Sequence, residues 1–167
     1  MESNLGRLRE LTEALEKSEE AHRATEVRLE TALRVSNAGM WDWSVRDDLL
    51  LWDATMCHLF GYNTSAMKAR DDGLYAMKYE DFIERVHPDD KDRVQGQVDA
   101  CLQDRIPYST VYRVIWECNG VLCTSLLIHA AGDVVEDNTG EVTRLVGICI
   151  PGRGIMENLP PSDKHML

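Results

Sequence analysis

Three runs of residues decide the fold: Tyr108-Ser-Thr-Val-Tyr-Arg-Val-Ile-Trp-Glu-Cys118, Val121-Leu-Cys-Thr-Ser-Leu-Leu-Ile-His-Ala-Ala131 and Glu141-Val-Thr-Arg-Leu-Val-Gly-Ile-Cys-Ile150. The first two are joined by Asn119-Gly120, and a polar break with Asn138-Thr139-Gly140 precedes the third. All three are rich in β-branched and aromatic residues, which suit a pleated, half-buried surface. Asn-Gly is a strong hairpin signal, because a type I′ turn needs φ > 0 at both central residues. The second break predicts another hairpin. Three consecutive antiparallel strands then form a sheet on which the rest of the chain can pack. A two-residue turn would set Trp116 opposite Cys123, Val114 opposite Ser125 and Tyr112 opposite Leu127. One face would then carry Tyr112, Val114, Leu127 and His129, and the other Val111, Arg113, Ile115, Leu126 and Ile128. Both faces are largely apolar. Both should therefore be covered, one by helices and the other by a second chain or the N-terminal helix.

Upstream, Met40-Trp-Asp-Trp-Ser-Val-Arg46 alternates, with Trp41, Trp43 and Val45 on one side. Asp47-Asp48 makes a turn and Leu49–Trp52 returns, so a hairpin opens the domain. Asp53 to Phe60 predicts a short helix closed by Gly61. Residues 64–78 are polar and carry little pattern beyond a turn at Asp72-Gly73. Tyr79 to Val86 reads as one or two helical turns. Pro88 then opens the best-marked helix, with His87 as N-cap and Asp89 and Asp90 at the positive end of the helix dipole. Val94, Val98, Cys101 and Leu102 form its apolar side. The last strand, returning beside the first hairpin, is its natural neighbour.

Residues 5–36 have no Pro and no Gly after Gly6, and are rich in Leu, Ala, Glu and Arg. One heptad frame places Leu8, Leu11, Leu15, Ser18, His22, Thr25, Leu29, Ala32 and Ser36 on a seam that is apolar at its ends and polar in its middle. So narrow a stripe needs a partner. A helix lying on its own domain is one solution; a parallel coiled-coil dimer is the preferred one. Beyond Ile150, Pro151, Gly152, Gly154 and Pro160-Pro161 predict a non-helical tail over 151–167. The organisation is thus an N-terminal helix at 1–36, a domain at 37–150 and the tail.

Composition bounds the function. The 167 residues carry a net charge of −11, and 44% of them are hydrophobic. That charge argues against nucleic acid and against an anionic membrane surface. No apolar run approaches the ~20 residues of a membrane span. Five scattered cysteines without a C-x-x-C pair indicate neither a disulfide framework nor a zinc site, and point to a reducing, cytoplasmic setting. The group His87, Asp89, Asp90 and Asp92 looks metal-like, but the start of a helix accounts for each member. No nucleophile–base set or phosphate loop is present, so catalysis is not expected.

The order of elements, and the words Gly39-Met-Trp-Asp-Trp, Leu59-Phe-Gly-Tyr, Phe82-Ile-Glu-Arg-Val-His-Pro-Asp-Asp, Tyr112-Arg-Val, Asn119-Gly120 and Arg144-Leu-Val-Gly, resemble a PAS domain of the PAS/PAC type found in sensor kinases and cyclases. The resemblance spans roughly residues 36–150. It implies an α+β fold with a five-stranded antiparallel sheet of order 2-1-5-4-3, short helices on one face and a small cavity between them. It also implies a sensory or dimerising module working with an effector domain or partner protein. Two features depart from the family. Cys123-Thr124 stands where Arg-Trp is common, and Pro151-Gly152 replaces the usual lead into an output helix.

The resemblance makes Trp41, Trp43, Tyr112, Val114, Leu127 and His129 the candidate lining of that cavity. Four tryptophans suit either core packing or a flat aromatic ligand. Haem and flavin are both carried by relatives of this type, and neither is indicated here. Residues 88–103 hold no His, which leaves His58 and His129 as haem candidates. The Asn-Cys-Arg-Phe-Leu-Gln word of the flavin photoadduct branch is missing, and Cys57 lies in a different setting. Non-covalent flavin stays open. Two functions follow from the resemblance: a ligand-sensing homodimeric input module, or a ligand-free dimerisation and interaction module.

Overall fold

The computed structural model describes residues 2–118 and 121–152. The chain divides after Ser36 into two units. The first is one helix, α1 (Glu2–Ser36). Its i,i+4 pair Glu19–Arg23 forms, and His22 reaches Glu26. Leu8, Leu11, Leu15 and Leu29, all on the predicted seam, are each more than half exposed. Asn37, in the left-handed region at φ 51°, ends the helix.

The second unit is a single antiparallel sheet with helices on one face. Its strands are β1 (Gly39–Ser44), β2 (Leu49–Trp52), β3 (Tyr75–Met77), β4 (Tyr108–Cys118), β5 (Val121–Glu136) and β6 (Val142–Pro151), in the order β3-β2-β1-β6-β5-β4. The sheet has six strands where five were expected. The extra one, β3, is three residues long and pairs Leu51 with Ala76 at the edge of β2. Three residues show no usable alternation, so the polar segment around them concealed it. The first hairpin lies against the last strand as expected, with Trp43 opposite Leu145 and Trp41 opposite Gly147.

The hairpin of β4 and β5 corrects the expected facing of β5. Cys118 pairs with Val121 and Trp116 with Cys123, the register of a two-residue connection; Asn119 and Gly120 lie outside the described residues. Below that point the register shifts: Val114 pairs with Leu126 and Tyr112 with Ile128. Ile115 thus spans two residues of β5, a β-bulge. The bulge turns Leu126, Ile128 and Ala130 inward, all 3% exposed or less. Without it Leu127 and His129 would point into the core, and the imidazole would need a buried partner. At the other end of β5, Asp137 Oδ1 accepts the N–H groups of Thr139 and Glu141, closing the second predicted hairpin.

Three caps and one ion pair seat the helices. Asp53 caps α2 (Ala54–Leu59): its carboxylate accepts from Met56 N at 2.7 Å and from Met40 N at 3.0 Å, tying the helix to β1. Lys78 precedes α3 (Tyr79–Arg85), where Asp81 reaches back to its N–H. His87 caps α4 (Pro88–Asp104) through Nδ1, with Pro88 at the first position as predicted. Asp90 does more than face the helix dipole. It is 9% exposed and accepts both the backbone N–H and the Nε–H of Arg113 on β4, each at 2.9 Å. The Arg113 guanidinium holds its carboxyl well below the usual carboxylate range. Between helices and sheet lies one core, with Trp52, Phe60, Tyr112, Ile128 and Val94 almost fully buried. Each such side chain contributes roughly 1.5–3 kcal/mol by leaving water.

Candidate functional site

One row of register partners crosses the whole sheet: Tyr75, Trp52, Trp41, Gly147, Gly132 and Tyr108. The two glycines in its middle have no side chain to stand up. The indole of Trp41 therefore lies down over them from β1. A Cβ on Gly147 would come within 2.4 Å of Trp41 Cζ2, and one on Gly132 within 2.7 Å of Cη2. The far edge of the indole meets Tyr108, ring centroids 5.9 Å apart and planes at 88°. The row thus forms an aromatic floor with a low centre.

Leu50, Trp52, Tyr112 and Leu145 complete the floor, and Met56, Phe82 and Val98 bring the three short helices over it. These lining residues are all at most 8% exposed. Only Trp43 and Tyr79, the remaining lining residues, are half-buried, and they mark the mouth. Their rings stack at 4.7 Å and 28°. Asp48 Oδ1 accepts from Trp43 Nε1 and from Tyr79 N, and the Tyr79 hydroxyl donates to Gln95 Oε1 at 2.9 Å. The enclosed space is about 30 Å³, enough for one or two waters.

Of the six candidate lining residues, Trp41, Trp43 and Tyr112 border this space. Val114 is fully buried but packs outside it. Leu127 and His129 are a correction: the bulge puts both on the opposite sheet face, where His129 is exposed and Leu127 accepts the N–H of Gly152. Leu50, Met56, Tyr79, Phe82, Val98, Tyr108 and Leu145 were not among the candidates, and Trp52 entered only as one of the four tryptophans. Burial of Leu50 and Trp52 alternates along β2, Tyr108 shares the parity of Tyr112, and Val98 follows Val94 by one helical turn. The last two signals were in the sequence, whereas Leu49–Trp52 is apolar throughout and its alternation shows only in the structure.

The chemistry of the space is apolar and uncharged. No lining residue is Asp, Glu, Lys, Arg, His or Cys. The Tyr112 hydroxyl contacts Cys149 Sγ at 3.5 Å, and burial pushes the Cys149 thiol up to about 12. Burial also raises Cys57 to about 12. At neutral pH both stay protonated and unreactive. Among the described residues two buried donors have no partner: Trp52 Nε1 and the Tyr108 hydroxyl. Neither haem nor flavin fits the space with its mouth closed. The space is a small fraction of either molecule, and no His or Cys lines it to ligate iron. His58 is exposed on α2 beside Thr64, and His129 faces away.

The model of the family described as PAS fold matches residues 49–149. A probable diguanylate cyclase of Escherichia coli (strain K12), DgcE, is 23% identical over 134 residues, which are 80% of this chain and 11% of that protein. The chain thus spans about a tenth of the curated relative it matches. A sensory box histidine kinase/response regulator from Burkholderia thailandensis E264 superposes with a TM-score of 0.59 at 25% identity, covering 74% of this chain and 83% of the other. The N-terminal domain of a diguanylate cyclase with PAS/PAC sensor from Marinobacter aquaeolei superposes with a TM-score of 0.54 at 20% identity, covering 68% and 94%.

Proposed function

Since the chain belongs to the PAS fold family, we propose that residues 37–150 are a sensory input module that holds a small molecule in the aromatic space under Trp43 and Tyr79 and passes its state to an effector domain or partner protein. The observation that carries this reading is the Gly147–Gly132 pair. Two adjacent strands give up their inward side chains, and Trp41 lies flat where two further side chains would have filled the core. Such a floor makes room without creating a polar or catalytic surface. The module is regulatory, and no catalytic step is assigned to it.

Homodimerisation is part of the proposal. The exposed leucines of α1 form an apolar seam with no charge at Leu8, Leu11 or Leu15, as a parallel pair of helices requires. The outer sheet face adds half-buried Met40, Leu51, Val146, Ile148 and Ile150, an apolar surface suited to a second copy. Among the described residues no helix is long and apolar enough to cross a membrane. A cytoplasmic setting is proposed from the unpaired, buried thiols.

A second reading, a dimerisation module with a filled core, is favoured by the small enclosed volume of about 30 Å³. The absorption spectrum and native mass spectrum of freshly purified protein decide between them. A non-covalent small molecule released on unfolding supports the sensor. A clean apo dimer supports the filled core.

A further inference from the structure

Resting on the sensor reading above, we infer that the ligand of the aromatic space is an uncharged, ring-sized molecule carrying hydrogen-bond acceptors, which Trp52 and Tyr108 recognise after the Trp43–Tyr79 stack lifts. Three observations lead there. First, Trp52 is fully buried and Tyr108 is 4% exposed, both line the space, and each has a donor with no partner. A buried N–H or O–H left unpaired is costly and rare, so an acceptor brought within reach of either donor would be favoured. Second, none of the lining residues is charged. A carboxylate or phosphate would be stripped of water with no cation to receive it. Third, the walls are mostly ring faces: Trp41 lies flat on the floor and Phe82 and Tyr112 meet edge to face at 5.8 Å. A planar molecule matches them.

Size decides the entry route. The enclosed space, about 30 Å³, is less than one aromatic ring needs. The deep lining is almost fully buried, whereas Trp43 and Tyr79 are the half-buried residues at the rim. Their stack is latched by one carboxylate, Asp48, and by Gln95. Lifting the stack costs the two exposed bonds to Asp48 and the part-buried bond to Gln95, and leaves the floor intact.

Benzene and pyrazine have the same shape and differ by two ring nitrogens, so they isolate the acceptor requirement. Both, together with benzoate, are titrated into the full chain while the indole N–H resonances are followed. Trp52→Phe assigns the Trp52 signal. The expected result is that pyrazine binds about tenfold more tightly than benzene, a difference of about 1.4 kcal/mol, and moves the Trp52 and Trp43 signals, while benzoate moves neither. In Tyr108→Phe the preference for pyrazine falls to about threefold, in proportion to one lost donor. Trp52→Phe does the same from the other side, so the result does not hang on one variant folding. Equal binding of benzene and pyrazine overturns the acceptor requirement and leaves the space a ligand site. Benzoate binding as well as pyrazine overturns the requirement for an uncharged ligand. Failure of every probe to move the Trp52 signal overturns this inference, while the sensor reading is decided separately by the native mass spectrum.

Discussion

Trp41 and Gly147 are register partners on adjacent strands, and the indole of one covers the α-carbon of the other. The contact needs a residue without Cβ, since an added one would also fall 2.2 Å from the carbonyl oxygen of Ala131. Backbone cannot step aside as a flexible side chain can. Gly147→Ala is therefore expected to destabilise the domain by about 2–3 kcal/mol, as overpacked cores do. Gly96, on the open side of α4, meets nothing within 4 Å. There the same change should stabilise by about 0.5–1 kcal/mol through helix propensity. Urea unfolding of the two variants checks both signs.

Asp90 and Arg113 predict an acid-sensitive link between α4 and β4. The native carboxyl is held below its ordinary value of 3.8, first by the Arg113 side-chain bond. A depressed folded pKa contributes stability that is complete above the unfolded value and is lost as pH falls through the folded one. Wild type should therefore lose stability as the pH drops below about 4, and Asp90→Asn should lose less over the same range. At neutral pH Asp90→Asn should cost about 2 kcal/mol, the scale of a charge-assisted bond. Denaturant melts from neutral pH into the acid range separate the two effects.

Much of this fold was legible because it rests on local chemistry. Asn119-Gly120, the cap at His87-Pro88 and the alternation of Trp41 and Trp43 each name their element without reference to anything distant. The facing of β5 was not legible beyond the bulge. Its cause is a comparison between two inward sets, Leu126 with Ile128 against Leu127 with His129, and only the assembled core makes that comparison. The site suffered accordingly: Leu127 and His129 were misplaced by one residue of register, while Tyr112 and Trp41 were not. The pairing of Asp90 with Arg113 was hidden behind an equally good local explanation, the helix dipole. The tail reading over 151–167 meets the structure only at Pro151 and Gly152, the former the last residue of β6; residues 153–167 lie outside the described residues.

The seam of α1 carries the assembly prediction. Leu15 and Leu29 are 59% and 56% exposed. Changing both to Glu would place like charges where two helices must meet. The double variant should sediment as a monomer at micromolar concentration while its circular dichroism keeps the sheet signal. Wild type should sediment as a dimer. A wild-type monomer would remove the coiled coil. A dimeric variant would assign the contact to the outer sheet face instead.

Asp48 holds both halves of the stack at the mouth. Asp48→Ala should loosen Trp43 and Tyr79 with little loss of stability, under about 1 kcal/mol for exposed bonds. Acrylamide should then quench Trp43 fluorescence more strongly than in wild type. Unchanged quenching would mean that stacking alone keeps the mouth closed.

The central claim is that the small molecule sits beneath the helices at Val98 and above the Trp41 floor. Val98 is 3% exposed and lines the space. Val98→Phe fills that space without adding charge, at a cost of about 1–3 kcal/mol. Native mass spectrometry of wild type and Val98→Phe, purified in parallel and both checked for folding by circular dichroism, tests the claim most directly. The account predicts a bound small molecule on wild type and none on the folded variant. The same molecule on both, or none on either, would contradict it.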